Sequence, residues 1–244
     1  MAVIPYIKMK KNVLILGGTS GIGLALAEKI STEKFNITVC GRSNINLKKN
    51  KIKFEKLDIL KKKNLENFIS KYKKYTFDII VHIIGGSLGE NDPFAKIESY
   101  QKIWDYNLGY VIKINNFFIK KMIKKKWGRV VHFSSAASFI NSGSAPYGSA
   151  KSALNYYVKN VGSFVSKHNV IMTAISAGPF ENPKKHLTKI KNKKNVEWRN
   201  FIKNNLPIGR LAKINEIIDV IEFLISNKSS YCSGAIWNVD GSQR

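Results

Sequence analysis

Four apolar residues, Val13-Leu14-Ile15-Leu16, run without a break into Gly17-Gly18-Thr19-Ser20-Gly21-Ile22-Gly23, and from Leu24 to Ile30 the apolar positions take helical spacing. A short continuous apolar run suits a strand buried on both faces, as inside a parallel sheet. The glycine-rich turn that joins it to a helix lets the backbone bend sharply and approach a ligand closely. It also aims the first free N–H groups of the helix, and the positive end of its dipole, at whatever lies in front. A phosphate satisfies both conditions, so this strand, turn and helix predict a dinucleotide-binding α/β fold.

The same alternation continues along the chain. Strand-like runs follow at Ile37–Cys40, Phe54–Leu57, Asp78–Ile84, Arg129–Phe133, Val170–Ile175 and Ala235–Val239, with helical segments at Leu65–Tyr72, Tyr100–Lys124, Gly148–Lys167 and Ile214–Ser226. Strands alternating with helices predict a doubly wound, Rossmann-like parallel sheet of about seven strands with helices on both faces. No Pro/Gly/Ser-rich linker divides the 244 residues, so one domain spanning 1–244 is expected.

Composition narrows the setting. Hydrophobic residues make up 44% and charged residues 23%, the balance of a chain with a core, and no apolar run approaches the roughly 20 residues of a membrane span. The start, Met1-Ala2-Val3-Ile4-Pro5-Tyr6-Ile7, is too short for a signal peptide. Cys40 and Cys232 match no redox or metal-ligand spacing, and His82 and His132, in apolar strands, read as core histidines. A cytoplasmic protein without a metal site is expected. The net charge of +25 is spread over many short lysine clusters, including Lys48-Lys49, Lys61 to Lys63, Lys120 to Lys126 and Lys189 to Lys194. No nucleic-acid-binding signature accompanies them, so neither a nucleic acid nor a membrane is expected as a partner.

In doubly wound sheets ligands sit beyond the carboxyl ends of the strands. Polar or glycine-rich stretches fall at those ends: Gly17 to Gly23, Gly41-Arg42-Ser43, Asp58, Gly85-Gly86-Ser87, Ser134-Ser135 and Ser176 to Pro179. Together they predict one cleft. After the second strand a carboxylate would bind an adenosine ribose diol and an arginine would suit a 2′-phosphate, and here the residue is Arg42. NADP is therefore expected over NAD. Tyr147 and Lys151 stand four apart at the opening of a helix, so phenol and ammonium share a face. A free phenol titrates at about 10, and a nearby cation favours the phenolate, which makes the pair a candidate for proton transfer.

With Gly17-x-x-x-Gly21-x-Gly23, Ser135 and Tyr147-x-x-x-Lys151 in this order, the chain resembles the short-chain dehydrogenase/reductase family, in its compact single-domain form, from about Lys10 onward. Pro207-Ile208-Gly209-Arg210 and the stretch from Ser233-Gly234 to Asp240-Gly241 look like later landmarks of that family. The resemblance implies an NAD(P)-dependent carbonyl reductase or alcohol dehydrogenase in which Tyr147 is general acid or base. Lys151 would lower the tyrosine pKa and hold the nicotinamide ribose, Ser135 would bind the developing oxyanion, and Asn107 would support a proton path. Cofactor contacts are expected from Gly17, Thr19, Ser20, Gly21, Ile22, Gly23, Arg42, Ser43, Asp58, Ile59, Gly85, Gly178 and Pro179, with Tyr147 and Lys151.

The substrate would be a small or carrier-bound carbonyl or alcohol under a lid at Phe180 to Leu206, which carries Lys184, Lys185, His186, Lys189, Lys191, Lys193, Lys194 and Trp198. The assembly implied is a homotetramer or homodimer. A 3-oxoacyl carrier-protein reductase and a sugar-modifying oxidoreductase both stay open, as does a cofactor-binding regulatory protein that has lost catalysis. The family usually has Asn-Asn-Ala-Gly after its fourth strand, where this chain has His82-Ile83-Ile84-Gly85; Leu16 stands in place of a threonine, and Ala177-Gly178-Pro179 replaces the usual Pro-Gly.

Overall fold

The computed structural model describes residues 10–43, 52–182 and 196–244. Seven parallel strands form one sheet in the order β3-β2-β1-β4-β5-β6-β7: β1 Lys11–Leu16, β2 Phe35–Gly41, β3 Ile52–Lys56, β4 Ile79–His82, β5 Gly128–Phe133, β6 Val170–Ala177 and β7 Ile236–Val239. The winding direction reverses between β1 and β4, and a crevice opens there at the carboxyl edge.

The alternation of side chains along each strand divides the core into two layers. Leu14 and Leu16 of β1 face a cluster with Leu65 and Phe68 of α2 (Lys62–Lys71), Ile114 and Phe118 of the helix Tyr110–Lys125, and Leu154 and Val158 of the helix Ala145–Ser166. Val13 and Ile15 face the other way, onto Ile22 and Leu26 of α1 (Gly21–Lys29) and Ile217 and Ile221 of the helix Ile214–Leu224. Each fully buried Leu or Ile stabilises the fold by about 1.5–3 kcal/mol, which is why continuous apolar runs mark the inner strands. The two edge strands are the exceptions: β3 is half-exposed beyond Ile52, and β7 has no fully buried residue.

Two segments differ from the sequence expectation. The helix expected over Tyr100–Lys124 is three elements: α3 (Ile97–Trp104), a π turn at Asp105–Gly109, and α4 (Tyr110–Lys125). Asn107 donates from Nδ2 to the Ile103 carbonyl at 2.8 Å, and a side chain inserted into the helical ladder widens it to the π spacing. After α5 (Ala145–Ser166), the stretch read as unpatterned holds α6 (Val196–Asn205), which has no buried residue and so carries no apolar stripe to read, before α7 (Ile214–Leu224). Lys184 to Lys194 of the expected lid, and Lys48-Lys49, lie outside the described residues.

Candidate active site

Gly17 is the first residue past β1 and has φ +94, and Gly21 opens α1 with φ +53, both in the region that favours glycine. A Cβ on Gly21 would meet nothing nearer than Asn182 Nδ2 at 3.9 Å, so it would project into the cleft that the turn lines. Ser20 precedes α1 in extended conformation without capping it, and the first turn has no acidic residue. The positive end of this helix is therefore left for a ligand.

The cleft in front has a volume of about 550 Å³, within the range of cofactor pockets, and is lined by Gly17, Thr19, Ser20, Gly21, Ile22, Arg42, Asp58, Ile59, Gly85 and Tyr147 among others. A second cavity of about 240 Å³ shares Gly85 and Tyr147 with it and adds Ser135, Lys151, Gly178 and Pro179. A glycine cradle at one end and a cluster of polar side chains at the other fit an extended dinucleotide. Three expected residues line neither cavity. Gly23 is buried in the turn, where a Cβ would lie 2.9 Å from the Gly17 carbonyl carbon. Ser43 is exposed beside Arg42, and Asn107 is buried behind Gly85 and Gly86.

At the reacting end, Ser135 follows β5 and its Oγ accepts from Ala137 N at 3.2 Å. Its hydroxyl proton is then free to donate into the cavity that it lines together with Tyr147. Burial is the larger influence and holds the Tyr147 phenol above its ordinary value, with the Ser135 hydroxyl pulling it back in part. Lys151 itself is buried, and desolvation lowers it to about 7. Its Nζ donates to the Phe133 carbonyl at 2.7 Å and lies 5.7 Å from the Tyr147 ring centre. A Cβ on Gly85 would stand 2.7 Å from Asn107 Oδ1 and 2.8 Å from Lys151 Nζ, so only glycine lets these two groups meet there. Asn107 holds both backbone groups of Gly86, accepting from its N and donating to its O, each at 3.0 Å.

A family model described as enoyl-(acyl carrier protein) reductase matches residues 17–242. The chain belongs to the short-chain dehydrogenase/reductase family. It is an NAD(P)-dependent oxidoreductase acting on CH–OH and C=O groups. A 3-oxoacyl-(acyl-carrier-protein) reductase of Buchnera aphidicola subsp. Schizaphis graminum is 28% identical over 246 residues, covering 95% of this chain and 96% of the relative. Among solved structures, 4-hydroxyisoleucine dehydrogenase complexed with NADH superposes with a TM-score of 0.84 at 22% identity, covering 95% of this chain and 98% of that one. L-sorbose reductase from Gluconobacter frateurii, complexed with NADPH and L-sorbose, gives 0.83 at 22% identity, covering 95% of each chain.

The departures from the family pattern have visible packing consequences. Ile84, where the family has alanine, sits so that its Cγ1 would be 3.1 Å from a Cβ on Gly17, and the glycine leaves room for it. The cavities also take in Phe180, the first residue of the expected lid, and Asn91, Tyr106, Ser142 and Gln243, which the sequence does not mark for a role because no local spacing ties them to the cleft. Among the described residues no cluster of His, Cys, Asp or Glu is placed to hold a metal, and no helix is long and apolar enough to cross a membrane.

Proposed function

We propose that the protein is an NADP-preferring carbonyl reductase in which Tyr147 gives a proton to a substrate oxygen held by Ser135, and that a 3-oxoacyl chain on an acidic carrier protein is its principal substrate. The observation that carries the mechanism is that Ser135, Tyr147 and Lys151 line one cavity, which shares Gly85 and Tyr147 with the cleft over the glycine cradle. A carbonyl oxygen has two lone pairs and accepts from both hydroxyls at once. Bound nicotinamide supplies the hydride. Lys151 has three donors and spends one on Phe133 O, which leaves others for ribose hydroxyls and for a developing phenolate. Asn107 holds Gly86 and keeps the wall beside Lys151 in place.

Arg42, exposed at the end of β2 and lining the adenosine side of the cleft, supports the NADP preference. The carrier-protein reductases among its relatives and the +25 charge support an acidic carrier as partner. A second reading rests on the described lining of the catalytic cavity, where Lys151 is the only charged side chain and Ser142 and Gln243 are neutral hydrogen-bonding groups. That lining favours a small neutral ketone such as a ketose.

We further propose a cytoplasmic protein that is one domain with a lid over 180–206 and has no nucleic-acid role. It would form a homotetramer or homodimer through the exposed Tyr156 and Phe164 of α5. NADPH oxidation with an acetoacetyl thioester and with a ketose separates the substrate readings. Tyr147→Phe should lower turnover by about 10²–10⁴-fold. Turnover undiminished in that variant sinks the mechanism, and cofactor binding without turnover of any substrate favours the regulatory reading.

A further inference from the structure

Beneath the candidate site lies a buried polar ladder that the reaction itself does not use. His82 at the end of β4 and His132 on β5 are register partners, and their rings stack at 4.8 Å between centres and 5° between planes. Asn115 of α4 bridges them: His82 Nε2 lies 3.0 Å from its Oδ1, and its Nδ2 lies 3.0 Å from His132 Nε2 and 3.3 Å from the Tyr157 hydroxyl. His132 Nδ1 lies 3.0 Å from the Thr173 carbonyl of β6. All three side chains are buried to within 1% of full burial.

The carbonyl fixes the direction of every proton in the ladder. Thr173 O only accepts, so His132 carries its proton on Nδ1 and leaves Nε2 bare for the Asn115 amide to donate to. The amide oxygen then faces His82, whose proton sits on Nε2. Burial keeps both rings neutral, lowering His132 to about 4 and His82 well below its ordinary value. This ladder occupies the place where the family has asparagine, at His82, and ties β4, β5 and β6 to α4.

The tied strands lead directly into the site. One residue beyond His132, the Phe133 carbonyl receives Lys151 Nζ at 2.7 Å. Beyond His82, Ile83 N and Ile84 N both donate to Leu16 O, and Ile84 O accepts from the Tyr110 hydroxyl of α4 at 3.0 Å, which delivers Gly85 against Asn107 and Lys151. We propose that Asn115, acting through His82 and His132, is a positioning residue for the nicotinamide end of the site. It holds the exits of β4 and β5 so that Gly85 stays against Lys151 and Asn107 while Phe133 O anchors the ammonium. This rests on the reading of the cleft as a dinucleotide site.

The test is a comparison of two probes in Asn115→Leu and His82→Leu. NADPH spans the cleft, whereas adenosine 2′,5′-bisphosphate reaches only its adenosine end; NADH and AMP are run in parallel. With the ladder cut, NADPH and NADH should bind about ten-fold more weakly while the adenosine probes bind as in the parent. A merely structural role would weaken both kinds of probe or neither. Equal effects on the two kinds, or parental binding of NADPH in a folded variant, overturn the proposal. His82→Leu removes one arm only and serves if Asn115→Leu does not fold. In the parent, ¹⁵N signals of the imidazoles should show His82 protonated on Nε2 and His132 on Nδ1, and the opposite tautomers overturn the ladder directly. A parent that binds no nicotinamide nucleotide defeats the cleft reading, whereas a parent that binds and a ladder variant that binds equally well defeat only the ladder.

Discussion

Arg129 and Lys151 are both buried cations that lean on β5, one at each end of the strand, with 1% and 2% of their surfaces exposed. At the amino end Arg129 spends three of its five N–H donors on backbone: Nε reaches Ser226 O at 2.9 Å, and Nη1 reaches Gly128 O at 2.8 Å and Asn169 O at 3.2 Å. Its guanidinium also stacks over Trp127, 4.7 Å from the ring centre. At the carboxyl end Lys151 has one backbone acceptor, Phe133 O. Burial lowers both groups, yet a guanidinium stays charged throughout the physiological range while the ammonium is brought to about 7. The same cost of burying charge is thus offset at one end to tie three segments together, and left largely open at the other, where unspent donors face a cavity.

If that contrast is right, exchanging each cation for an apolar side chain of similar length has opposite results. Lys151→Met should lower turnover with NADPH and an acetoacetyl thioester by about 10²–10⁴-fold, the range of a lost acid–base group. Turnover within a few-fold of the parent would break the comparison at its functional end. The same variant should also gain stability at low pH. Lys151 titrates at about 7 in the folded chain against an ordinary value of 10.5, so the folded form binds fewer protons between those values. Stability should therefore rise from pH 7 to 10.5, by up to about 4 kcal/mol, and fall as pH returns to 7. Urea midpoints without nucleotide should show Lys151→Met above the parent at about pH 6 and level with it near pH 10. A difference that does not change with pH would contradict the buried ammonium.

Arg129→Met should do the reverse, costing about 3 kcal/mol because buried carbonyls lose their donors, while the folded variant keeps parental turnover. Loss of turnover at unchanged stability would mean that the two ends of β5 are not separable.

The strands were legible because their side chains face apolar layers on both sides, and a four-residue run such as Val13–Leu16 has no other good use. The glycine cradle and the Tyr147/Lys151 pair were legible because each rests on local spacing along one strand, turn or helix. What the sequence hides is the consequence of bringing distant segments together. The direction of the Tyr147 shift depends on how much protein covers the phenol, and spacing to Lys151 cannot report that. The π turn depends on where the Asn107 amide points, and Gln243 enters the catalytic cavity from the far end of the chain. The burial of Arg129 depends on carbonyls 40 and 97 residues away. His82 and His132 read as core histidines from their apolar strands, but their common bridge needs a residue of α4 that no pattern marks.

The smallest expected effect concerns the middle of β5, between the two cations, where His132 stacks on His82. A histidine buried neutral is protonated in the unfolded chain below about 6.5 but resists protonation when folded, down to about 4 for His132, and burial likewise holds His82 well below its ordinary value. The unfolded state therefore binds more protons in that window, so stability is full above about pH 6.5 and is lost as pH falls through about 4. Between about pH 6.5 and 5 the loss should reach about 2 kcal/mol for His132, with His82 adding a loss of the same sign. Replacing one, as in His132→Asn, should remove that share and flatten the acid limb of a urea-midpoint profile, leaving the alkaline rise due to Lys151 in place. An acid limb as steep as that of the parent would show that the carboxylates govern acid unfolding, and that the neutral pair contributes no pH dependence of its own.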